Sequence, residues 1–143
     1  MTKKPRVLFL CTGNSARSQM AEALLKKHAG DRFEVYSAGL APKGIHPMTR
    51  RVLEEIGLDI SDQRSKSLDE YFGKKHFGYL ITVCSNAEER CPTFPGMGQR
   101  LHWPFEDPAA FEGDEKETLG KFQAVRDQIE ARIKAWVDQV EVA

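Results

Sequence analysis

Apolar residues fall along this chain in two rhythms. A short continuous run over residues 6–10, Arg6-Val7-Leu8-Phe9-Leu10, reads as a buried strand. Residues 15–28 then carry Met20, Ala23, Leu24 and Leu25 at helical spacing, with Gly30 as the stop. Residues 33–39 alternate apolar and polar positions up to Gly39, which predicts a second strand. Pro47 suits the first turn of a helix carrying Val52, Leu53 and Ile56 and ended by Gly57. A weaker helical segment over 67–72 precedes a third strand over 79–83 that stops at Cys84. A short fourth strand over 100–103 leads into a loop holding Asp107-Pro108. The last helix is the longest: Leu119, Phe122, Val125, Ile129, Ile133, Val137 and Val140 recur every three or four residues, behind Asp114 and Glu117 as a capping pair. Residues 93–99, with Pro95, Gly96 and Gly98, read as a mobile loop.

Strands alternating with helices predict an α/β fold, a four-stranded and mostly parallel sheet with helices on both faces. With 143 residues and no repeat or linker, the chain reads as one domain over 1–143. Ligands of such sheets bind beyond the carboxyl ends of the strands. Cys11 and Cys84 each follow a predicted strand end, so both are expected to open onto one crevice.

Composition narrows the chemistry. Basic and acidic residues balance at 21 each, which leaves no global electrostatic footprint for nucleic acid or an anionic membrane, so any anion site must be local. No apolar stretch approaches the roughly 20 residues of a transmembrane helix, and the first six residues lead directly into the first strand. The expectation is a soluble cytoplasmic monomer. Three cysteines make an odd count, unsuited to a static disulfide framework and better suited to catalysis or redox work in a reducing compartment.

The local anion site is written between the first strand and the first helix. In Cys11-Thr12-Gly13-Asn14-Ser15-Ala16-Arg17-Ser18, a strand-to-helix loop aims several backbone N–H groups at one spot, where the helix dipole favours negative charge. Arg17 adds a permanently charged fork matched to tetrahedral oxyanions. The same surroundings favour the thiolate of Cys11, and Ser18 is placed to donate to it. Gly13 and Asn14 suit awkward turn conformations. A buried structural cysteine in a tight turn is the plainer alternative, and the flanking strand and helix argue against it.

Cys84 and Cys91 bracket six residues. Taken alone, Cys84 reads first as a small strand-end residue and Cys91 as an incidental loop thiol. A zinc site with His102 lacks the usual Cys-x2-Cys spacing. On a helix, residues seven apart stand about 10 Å apart, beyond disulfide reach, so pairing them needs the segment to unwind. Beside Cys11, three thiols suggest a relay: Cys11 attacks an oxyanion centre, a second thiolate attacks the Cys11 sulfur and expels a two-electron-reduced product, and the third moves the disulfide outward.

Five segments in order, C-T-G-N-S-A-R-S-Q-M-A-E, Y-S-A-G, V-C-S-N-A-E-E-R-C-P, H-W-P-F-E-D-P-A and F-Q-A-V-R-D-Q-I, carry a resemblance that extends over essentially the whole chain. The chain resembles the thioredoxin-coupled arsenate reductases, which share the fold of low-molecular-weight protein tyrosine phosphatases. That resemblance implies Cys11 as nucleophile on arsenate, and Thr12, Gly13, Asn14, Ser15, Ala16, Arg17 and Ser18 as the oxyanion cradle. It implies Cys84 as the second thiol, and Cys91 as its disulfide partner presented to thioredoxin. Asp107 would be the general acid, on a turn set by Pro108. No bound cofactor is expected, the electrons coming from thioredoxin, and arsenate or other small tetrahedral oxyanions are the expected ligands.

Two departures matter. Ala16 stands where many relatives carry another cysteine; three thiols remain for the relay. Some members bind potassium near the loop, and Asn14, Glu22 and Ser37 match that set, whereas Arg64 and Lys66 stand where relatives offer Thr and Asp. No potassium or other metal is therefore expected, with Asn14 still bracing the loop. Ala109-Ala110 after Asp107-Pro108, where phosphatases usually place aromatic residues, favours a small inorganic anion. The alternative is a phosphatase of the same fold hydrolysing a Cys11 phosphoenzyme; a non-catalytic oxyanion or thiol sensor has no use for Asp107. The four histidines are scattered and read as surface or packing residues, and Trp103 and Trp136 as packing residues.

Overall fold

The computed structural model describes residues 4–90 and 97–140. Four strands, β1 (Arg6–Cys11), β2 (Glu34–Gly39), β3 (Phe77–Thr82) and β4 (Met97–His102), form one sheet in the order β2-β1-β3-β4 with every pairing parallel. Four α-helices are described: α1 (Arg17–Ala29), α2 (Pro47–Glu54), α3 (Ser85–Arg90) and α4 (Glu115–Gln139). Short 3-10 turns lie at Leu68–Glu70 and Pro108–Ala110.

The apolar run of β1 is the centre of the core. Val7, Leu8, Phe9 and Leu10 are all inaccessible to solvent, although successive strand side chains point to opposite faces, so both faces of the sheet are covered. On one face Trp136 of α4 meets Tyr79 and Trp103, and Phe9 meets Trp103. Tyr36, next to Val35 on β2 and so on the opposite face, packs edge-on against Tyr71 beyond the first 3-10 turn. The stripe of α4 buries Phe122, Val125, Ile129 and Ile133, at roughly 1.5–3 kcal/mol each. Asp114 caps α4 by accepting the Glu117 N–H. Leu119, Val137 and Val140 of the predicted stripe are only partly buried.

Several boundaries differ from the sequence reading. α1 starts at Arg17 rather than residue 15, because the backbone through Ser15 and Ala16 is committed to the loop. The segment over 67–72 forms only a 3-10 turn, with Ser67 accepting the Asp69 N–H. β3 and β4 begin earlier than expected, at Phe77 and Met97. Most of the expected mobile segment 93–99 lies outside the described residues; Met97, Gly98 and Gln99 belong to β4.

The strand order fixes where a ligand belongs. β2 lies to one side of β1 and β3 to the other, so the chain reverses its winding between β1 and β3. A crevice opens at the carboxyl ends of such a strand pair. Cys11 is the last residue of β1, and Cys84 follows β3 by two residues.

Candidate active site

The loop from Cys11 to Ala16 is held from outside by its carbonyls. Those of Cys11, Thr12 and Gly13 accept from the Leu40, Ala41 and Lys43 N–H groups, and that of Ser15 from His46 N–H and Thr49 Oγ1. The Asn14 carbonyl accepts from Gln19, and that of Ala16 from the Met20 N–H. Because the N–H of a trans peptide points away from its carbonyl, this framework turns the loop amides inward. The N–H groups of Thr12 through Ala16 meet no acceptor among the described residues, and α1 carries no side-chain cap. The result is a row of free donors at a helix N-terminus, the chemistry of an oxyanion cradle.

Two residues shape the turn. Asn14 takes φ +46, a left-handed conformation that asparagine tolerates. Gly39 ends β2 so close to the loop that a Cβ would lie 2.7 Å from the Thr12 carbonyl oxygen, so no side chain fits.

Cys11 is 3 % exposed and its Sγ lies 2.9 Å from Ser18 Oγ. Asn14 Nδ2 donates to Ser18 Oγ (2.8 Å) and to Ser37 Oγ (3.0 Å), while its Oδ1 accepts from Gln19 Nε2 and the Lys66 N–H. Arg17 donates to the Phe105 carbonyl (3.0 Å) and lies 3.5 Å from Asp107 Oδ2. Asp107 Oδ1 accepts the Ala109 N–H, which sets the carboxyl at the head of the Pro108–Ala110 turn. Cys11, Arg17 and Asp107 thus line one cavity of about 630 Å³, and Cys84, Asn86, Lys43 and Phe105 line it with them. Phe111 lies against Lys121 instead and is not part of the lining.

Cys84 is as buried as Cys11, at 4 % exposed. It sits one residue before α3, and its Sγ accepts the Ala87 N–H (3.4 Å), taking the place of an N-cap oxygen. Thr12 Oγ1 lies 3.5 Å from the same sulfur. Asn86 Nδ2 donates to Thr12 Oγ1 at 2.7 Å, which leaves the threonine proton for Cys84. Asn86 was not among the residues singled out in the sequence. Its signal is there nonetheless: strand, cysteine, polar pair and helix repeat in Cys84-Ser85-Asn86 the arrangement around Cys11.

Beyond Cys84, α3 is pinned to the sheet through Glu88. Thr82 Oγ1 donates to the Glu88 carboxylate and lies 2.9 Å from His102 Nδ1, and Arg100 reaches both the Glu88 carbonyl (2.7 Å) and its carboxylate (3.3 Å). Among the described residues no cluster of three His, Cys, Asp or Glu side chains could hold a metal. Cys91, named in the sequence as the third thiol, lies outside the described residues.

The potassium set raised by the resemblance does not fit here. Lys66 Nζ lies 3.8 Å from Glu22 Oε1 and donates to the Arg64 carbonyl, so an ammonium group already stands before the only carboxylate of that set.

Residues 6–143 match the low molecular weight phosphotyrosine protein phosphatase family. The chain belongs to that family. Relatives of this phosphatase-family chain include the Bacillus licheniformis protein named arsenate reductase, 46 % identical over 96 % of this chain and 98 % of the relative. Among solved structures, one titled an arsenate reductase in the phosphate binding state superposes with a TM-score of 0.77 at 28 % identity, covering 96 % of this chain and 99 % of the other. The Corynebacterium glutamicum thioredoxin-dependent arsenate reductase superposes with a TM-score of 0.63 at 33 % identity, over 94 % of this chain and 64 % of that one. No described helix is long and apolar enough to cross a membrane.

Proposed function

We propose that this chain reduces arsenate to arsenite by a three-thiol relay reset by thioredoxin. The observation that carries the reading is that Cys84 shares the anion cavity with Cys11 and has donors of its own, Thr12 and Ala87. Hydrolysis of a phosphoenzyme has no use for a second activated sulfur. The names of the relatives, and the thioredoxin dependence stated for the Corynebacterium protein, support the same conclusion.

Arsenate enters the cradle of residues 12–18, its charge met by the inward amides and Arg17. The Cys11 thiolate, stabilised by the Ser18 hydroxyl, attacks arsenic; Asp107 protonates the departing oxygen, which leaves as water. Cys84 then attacks the Cys11 sulfur. A disulfide forms between them, the sulfur–arsenic bond breaks, and its electron pair leaves with arsenic as arsenite. Cys91 attacks Cys84, freeing Cys11, and the dithiol of thioredoxin reduces the Cys84–Cys91 disulfide. The chain acts as a single-domain cytoplasmic monomer and needs no bound cofactor. Because phosphate and arsenate are nearly isosteric, slow hydrolysis of aryl phosphates through a Cys11 phosphoenzyme accompanies the main reaction.

A single-turnover experiment tests the relay. Fully reduced protein given arsenate without reductant releases one equivalent of arsenite, and peptide mapping then finds Cys84 joined to Cys91 with Cys11 free. Arsenite absent and all thiols intact would contradict the proposal.

A further inference from the structure

Glu22 and Lys66 are the kinds of side chain rarely buried without a partner, yet each is only 7 % exposed. The Glu22 carboxylate lies at the end of a hydrogen-bonded line that runs to Cys11. Ser37 Oγ donates to Glu22 Oε1 at 2.6 Å and accepts from Asn14 Nδ2. The other Asn14 Nδ2 proton goes to Ser18 Oγ, whose own proton is left for the Cys11 sulfur. The donors therefore run outward from the Asn14 amide along two arms, one through Ser37 to the Glu22 carboxylate and one through Ser18 to the Cys11 sulfur, so anchoring the first arm fixes the second.

Lys66 holds the line at two points. Its backbone N–H donates to Asn14 Oδ1 (2.9 Å), which fixes which way the amide faces. Its ammonium, bonded to the Arg64 carbonyl, stands 3.8 Å from Glu22 Oε1. Lys26 also pairs with Glu22, at 2.6 Å, but it is 41 % exposed and screened by water. Burial pulls the Lys66 ammonium below the usual lysine range, against the attraction of Glu22; Arg64 and Lys26 add to that pull and Glu70 opposes it. Glu22 is thus the carboxylate that does most to keep this buried charge in place.

We propose that Lys66 is a positioning residue for Cys11: an ammonium built into the fold that anchors the Glu22 carboxylate and so holds Ser37 and the Asn14 amide in the arrangement that leaves the Ser18 proton for the sulfur, with no free monovalent cation required. This rests on Cys11 as the nucleophile and not on the arsenate reading.

The test reads Cys11 alone, through the pH profile of its alkylation by iodoacetamide, located by peptide mass spectrometry, and through p-nitrophenyl phosphate hydrolysis. In Lys66→Met the alkylation profile moves to higher pH and kcat falls about tenfold, with KM little changed, as expected for loosening one hydrogen bond to a thiolate. Lys66→Ala behaves likewise and recovers in methylammonium chloride, whereas Lys26→Ala changes neither readout appreciably. Wild type is indifferent to potassium against tetramethylammonium at fixed ionic strength, a measurement that needs no variant. An unchanged alkylation profile in folded Lys66→Met or Lys66→Ala, or stimulation of wild type by potassium, would overturn the proposal. Failure of arsenate turnover would leave these readouts standing, so the two ideas fail separately.

Discussion

Ser18 Oγ stands 2.9 Å from Cys11 Sγ and 2.8 Å from Asn14 Nδ2, and since the amide can only donate, the serine proton is directed at the sulfur. A hydrogen bond to a charged group contributes about 1.5–3 kcal/mol. Ser18→Ala is therefore expected to slow p-nitrophenyl phosphate hydrolysis about ten- to hundredfold, with Ser18→Thr recovering part of it. Steady-state kinetics of the two variants check this, and an unchanged kcat in Ser18→Ala would refute the assigned direction of the bond.

Asn86 does for Cys84 what Asn14 does for Cys11, through Thr12. Asn86→Leu frees the Thr12 hydroxyl to turn from the sulfur. Arsenate turnover is expected to fall about fivefold, the value of one neutral hydrogen bond, while p-nitrophenyl phosphate hydrolysis stays within a factor of about two. Equal losses in both assays would mean that Asn86 supports the loop rather than Cys84.

His46 couples pH to the second helix. Its Nδ1 accepts the Met48 N–H at the start of α2, which demands a neutral ring, and the ring lies on Phe122. Burial, and after it Lys43, hold its pKa below the ordinary histidine value, with Asp107 pulling the other way. A folded pKa below the unfolded one means that the unfolded chain binds the proton first. The stabilisation is complete above the unfolded pKa, near 6.5, and is lost as pH falls through the folded value. Denaturant titrations of wild type and His46→Asn should converge or cross below about pH 6; parallel curves over that range would contradict the cap.

The proposed relay requires helix α3 to open before it can finish. A bond from Cys84 to Cys91 cannot span an intact helix, where residues seven apart stand about 10 Å apart. Glu88, held by Thr82 and Arg100, resists that opening. Amide exchange over Ser85–Arg90 is expected to lose protection on oxidation, and Thr82→Val to speed disulfide formation about fivefold. Equal protection in both redox forms would rule out the unwinding.

The legible parts of the sequence were those where one local rule dominates. The apolar run of β1, the glycine-bounded alternation of β2 and the three-four stripe of α4 each announce their period, and the loop from Cys11 to Ser18 follows from a strand, a turn and a helix in succession. α3 escaped because six residues with only Ala87 buried carry no stripe. The early starts of β3 and β4 escaped because Gly78 and Gly98 interrupt their patterns, and a Cβ on Gly98 would lie 2.5 Å from the Gly78 carbonyl oxygen. The tie of Lys66 to Glu22 joins residues far apart in sequence, and that of Glu88 to Thr82 joins a helix to the strand before it. Neither composition nor periodicity contains them.

The most direct measurement is arsenate-dependent NADPH consumption with thioredoxin and thioredoxin reductase, comparing wild type, Cys84→Ser and Cys91→Ser, beside p-nitrophenyl phosphate hydrolysis by the same proteins. The account predicts turnover in wild type, its loss in both variants, and hydrolysis that survives in both. No arsenate turnover in wild type, with hydrolysis indifferent to either substitution, would contradict the relay and leave a phosphatase.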